Sequence, residues 1–60
     1  MNKERLKEFM KDPLVREAYE EDGILEVARL ASMIGNLDRD QELREIAAVL
    51  MEKGMGALRG

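Results

Sequence analysis

The chain is predicted to be all-α, a compact four-helix domain. Three observations carry that expectation. Apolar residues recur at intervals of three and four along most of the sixty residues, and no stretch alternates apolar with polar as a half-buried strand does. The breaks between these periodic runs hold Pro13, Gly23, Gly35 and Gly54, residues that start or stop helices. The composition, 45% hydrophobic with 38% charged, suits a globular chain better than a disordered one.

Helix 1 is expected over about residues 3–11, capped by Asn2, with Leu6, Phe9 and Met10 on one face. Asp12-Pro13 ends it. Asp12 is a good N-cap, and Pro13 suits a first helical position, where its missing N–H costs nothing. A second helix over 13–22, with Leu14, Val15, Ala18 and Tyr19 on its apolar side, is favoured over one helix kinked at Pro13, because a residue before proline avoids α geometry.

Gly23 can take the left-handed conformation that closes helix 2, and helix 3 follows over 24–34. Only Glu26, Arg29 and Ser32 are polar there, so helix 3 is expected to be central and packed on several sides. Gly35-Asn36 reads as its stop. Asp38 with Gln41 reads as a capping box for helix 4 over 39–53, whose stripe is Leu43, Ile46, Ala47 and Leu50, widened by Val49 and Met51. Residues 1–53 thus form one helical domain. The remainder, 54–60, is Gly- and Met-rich and is expected to fray.

Residue types exclude much chemistry. With no Cys, His or Thr, and with Ser32 and Tyr19 as the only side-chain hydroxyls, nucleophilic triads are essentially excluded, and thiolate or imidazole metal sites have no ligands. Carboxylate pairs are available, but a catalytic carboxyl needs an enclosed site to move its pKa, and a chain this short has little room for one. No enzyme activity, catalytic residue, cofactor or metal is expected. Calcium loops fail on register. With Asn36 as first ligand, Gln41 falls at the glycine position and Ala47 where a bidentate Glu is required; with Ala18 first, Gly23 fits but Arg29 takes the last position. The longest apolar run, Ile46 to Met51, is six residues, far below the roughly 20 of a membrane span. The opening Met1-Asn2-Lys3-Glu4-Arg5 has no apolar segment behind it, and the absence of Cys favours a reducing compartment, so a cytoplasmic location is expected.

Charge is uneven. Residues 1–11 carry four cations against two acids, residues 12–45 carry four arginines against ten acids, and the whole chain sums to −3. A helix-turn-helix built around Gly35 would turn Asp38, Asp40, Glu42 and Glu45 toward phosphates, which opposes the dominant attraction in DNA binding. Lys3, Lys7 and Lys11 do form an i, i+4, i+8 strip on helix 1. With Glu4 and Glu8 interleaved it reads as a solvated face, and it is the basis of an alternative, a nucleic-acid-associated regulator.

Sixty residues bury only about 60% of their surface in a monomer, so a symmetric homodimer is expected. Among the five methionines, Met10 and Met33 are assigned to the core; Val49, Leu50, Met51, Met55 and Leu58 are the interface candidates. The terminal Gly56-Ala57-Leu58-Arg59-Gly60 resembles the Gly-Ser-Leu-Arg tails that load cargo into encapsulin shells, with Ala57 in the serine position. The resemblance covers five residues and implies a cargo or tethering subunit. The main expectation is a small non-enzymatic regulatory or adaptor protein acting through protein–protein contacts and self-association.

Overall fold

Local capping chemistry sets the first two helices of the computed structural model, which describes residues 1–59. The Asn2 carboxamide oxygen accepts from the N–H groups of Glu4 and Arg5, at 3.0 and 3.4 Å, and opens α1, Lys3–Met10. Asp12 accepts from the Leu14 N–H at 2.9 Å and starts α2, Pro13–Asp22, with the proline in its first turn. The chain therefore breaks at Asp12-Pro13. Gly23, at φ 88°, closes α2 by donating its N–H to the Tyr19 carbonyl at 3.0 Å, and α3, Ile24–Leu37, begins at the next residue.

The α3 to α4 junction departs from expectation. Gly35 does not end α3; the helix runs through it to Leu37, three residues beyond the predicted stop. The reason is close approach. A Cβ on Gly35 would lie 3.0 Å from the Arg44 backbone nitrogen and 3.2 Å from the Asp40 carbonyl oxygen, so glycine lets the two helices meet there. Asp38 is the C-terminal flank of α3, its N–H donating to the Ile34 carbonyl. The reversal is made by Arg39 at φ 53°, and Asp40, not Asp38, caps α4, Gln41–Lys53, by accepting from the Leu43 N–H at 3.2 Å. The expected capping box between Asp38 and Gln41 does not form, because Asp38 still belongs to the end of α3.

Gly54, at φ 57°, terminates α4. The segment expected to fray instead makes a short helix, α5, Gly56–Arg59, with Ala57 only 6% exposed. Its glycines permit the turn back and the apolar Ala57 and Leu58 supply the packing. The fold thus has five helices among the described residues rather than four.

The core joins side chains from all five helices, one each from α1, α2 and α5, three from α3 and four from α4. Leu6 of α1, Val15 of α2, Val27, Ala28 and Ala31 of α3, Leu43, Ile46, Ala47 and Leu50 of α4, and Ala57 of α5 are buried together. The pairing of α3 with α4 is the most extensive, with Val27, Ala28, Ala31 and Gly35 buried on α3 and Leu43, Ile46, Ala47 and Leu50 on α4. Consequently α3 is buried on one stripe, Val27, Ala28, Ala31 and Gly35, and not on several sides as its composition suggested. Met33, assigned to the core, is 53% exposed; Met10 does pack against the core from its edge.

Gly35→Ala is expected to lower stability by about 1 kcal/mol, because crowding of backbone atoms outweighs the helix propensity gained. Chemical denaturation checks this, and a variant more stable than the parent would contradict the close-approach account.

Candidate interaction surfaces

The residues proposed from the sequence as an interface do not form one patch. Leu50 is fully buried within the chain and cannot cross to a partner, because α4 turns it toward Leu43, Ile46 and Ala47 on the core stripe. Val49 is half-buried against the core. Met51 is 54% exposed, but two helical positions from Val49 puts it on the opposite flank of α4. Met55 is exposed, its sulfur 3.1 Å from the Tyr19 hydroxyl, which donates to it. Leu58 is half-buried on α5.

Two other surfaces emerge. The first is the outer face of α3. Leu30, Met33 and Leu37 fall at i, i+3 and i+7 on one stripe, half-exposed at Leu30, exposed at Met33 and 76% exposed at Leu37. Arg29 and Asp38 flank it. The Arg29 guanidinium lies 3.5 Å from Glu26 one turn earlier. Sequence reasoning missed this stripe by assigning the whole apolar circumference of α3 to the interior.

The second is a groove of about 610 Å³ where α5 lies beside α1. Its floor is Leu6, Met10, Ala57 and Leu58, and its rim carries Lys3, Lys7, Lys11 and Arg59. The lysine strip was visible in the sequence. The facing wall was not, because three glycines in seven residues read as an unstructured end.

A polar latch holds α1 against the start of α4 and so fixes one side of that groove. Arg5 pairs with Asp40 at 2.5 Å and approaches Glu42 at 4.0 Å, while the Asn2 side chain donates to Glu42 at 2.9 Å. The Arg44 guanidinium donates to the Gly35 carbonyl at 3.3 Å, tying α4 back to α3. Asp40 has its carboxyl pKa lowered below the ordinary 3.8, chiefly by the Leu43 N–H it accepts and then by Arg5, with partial desolvation opposing. A carboxyl depressed in the folded state stabilises it fully above the ordinary value, and that contribution fades as pH falls through the lowered one. Thermal melts from about pH 5 down to about pH 2 should therefore show the parent losing its advantage over Asp40→Asn below about pH 3.8. Parallel pH profiles would contradict this.

No group of three acidic residues among the described residues is placed to hold a metal, and no helix there is long and apolar enough to cross a membrane. The class defined by the fold is a small all-helical domain with exposed apolar and basic surfaces. Comparison with known proteins found no matching family model, no similar curated protein and no similar solved structure.

Proposed function

We propose that this chain is a small, non-enzymatic adaptor or regulatory protein that works as a self-associated helical unit. The observation that carries the proposal is the Leu30, Met33, Leu37 stripe, left uncovered on a helix whose opposite face is fully used by the core. The occupant is a second copy. An antiparallel pairing of two α3 helices about a two-fold axis sets Leu30 against the partner's Leu37 and Met33 against the partner's Ile34. The same register brings Arg29 to the partner's Asp38, which makes no ion pair among the described residues, so the stripe is complementary to itself in charge. Burying three large apolar side chains per copy also supplies part of what so small a core lacks.

The absence of cysteine makes the register directly measurable. A Met33→Cys variant should form a disulfide-linked dimer under mild oxidation, while Met51→Cys, equally exposed on α4, should not. Equal cross-linking at both positions, or none at position 33, would overturn the assignment of this face.

A further inference from the structure

We propose that the groove between α1 and α5 binds an acidic peptide segment that carries apolar anchors, supplied by another protein. The groove is built of two chemically distinct layers. Its floor, from Leu6, Met10 and Leu58, is apolar and takes side chains of leucine type. Its rim is cationic. Lys7 and Lys11 stand one turn apart along α1, and Arg59 faces them from α5.

Charge complementarity selects the occupant. The groove gathers four of the ten cations of a chain that has thirteen acids, so the remaining surface repels the ligand this face attracts. Lys7, Lys11 and Arg59 make no ion pair among the described residues. The row from Lys3 to Lys11 covers eight residue steps, about 12 Å of helix, which matches about two turns of a bound helical segment. A segment with two leucines one turn apart would place both on the floor while glutamates on either side reach the rim, the helix-in-groove mode of recognition.

Nucleic acid fits less well. Among the described residues no aromatic side chain lines the groove to stack a base, and the chain as a whole is acidic. A lipid is disfavoured because the groove is open along its length, whereas an acyl chain calls for enclosure.

The test uses fluorescence anisotropy with a short labelled helical peptide containing two leucines one turn apart among glutamates, titrated with the full chain. Saturable binding is expected, weakening as salt rises. Replacing the leucines by serine, or the glutamates by glutamine, should each weaken it by about tenfold or more. Lys7→Glu with Lys11→Glu, both exposed and outside the core, should reduce binding to the level of the glutamine peptide while the circular dichroism spectrum stays unchanged. Met33→Asp should leave peptide binding intact, which separates this site from the self-association face.

No binding at about millimolar concentration, or binding indifferent to the lysine substitutions, would overturn the proposal. So would equally tight, lysine-dependent binding of oligouridylate or of phosphatidylglycerol vesicles, which would assign the groove to nucleic acid or to a membrane surface instead.

Discussion

Leu50→Asp is expected to abolish folding. Leu50 is fully buried where α4 meets the rest of the core. The substitution forfeits about 1.5–3 kcal/mol of apolar burial and adds the several kcal/mol needed to place an unpaired carboxylate among Ile46, Ala47 and Val27. A chain of sixty residues holds roughly 3–9 kcal/mol of stability in all, so the loss is comparable with the whole. Far-ultraviolet circular dichroism should show the helical signal largely gone. Leu50→Met, which nearly conserves volume, should cost less than about 1.5 kcal/mol and keep it. Helicity retained by Leu50→Asp would mean that the residue is not interior.

The second large effect concerns the C-terminal helix. Truncation after Gly54 keeps the left-handed residue that ends α4 but removes Ala57, which is buried in the core, and Leu58, which packs against it. The expected cost is about 2–3 kcal/mol, from lost burial and the cavity left behind. In a domain this small that lowers the melting temperature by about 10–20 °C. The same truncation should eliminate peptide binding by deleting one wall of the groove. A melting temperature within about 2 °C of the parent would show that α5 adds nothing to the core.

These two effects fall where the sequence was most and least legible. Asn2, Asp12, Pro13 and Gly23 act on backbone groups within four residues of themselves, so their roles as caps and breaks followed from residue type alone. The core stripe of α4 was equally plain, since Leu43, Ile46, Ala47 and Leu50 are separated by three and four. Gly35 was misread because glycine serves two purposes. It can end a helix or admit a neighbour, and only the position of Arg44 and Asp40, set by the packing of α4, decides between them.

The same long-range cause shifted the α4 cap from Asp38 to Asp40, as both residues can cap and the extra turn of α3 selects the later one. Tertiary context also reversed the reading of the last residues, where glycine content suggested fraying but Ala57 found a buried seat. The candidate interface was misread for a related reason. Apolar character around α3 did not tell which side faced α4, and the small residues Ala28, Ala31 and Gly35 turned out to mark the inner side. Once they do, Met33 and Leu37 must point away, and the proposed self-association face moves from α4 and the tail to α3.

Sedimentation equilibrium of the parent chain beside a Leu30→Asp, Met33→Asp variant tests that face most directly. The parent is expected at about twice 6.9 kDa at high micromolar concentration, and the variant at 6.9 kDa with its helical spectrum intact, since both substitutions lie outside the buried core. A parent that stays at 6.9 kDa across that range, or a variant that still sediments as a dimer, would contradict the account.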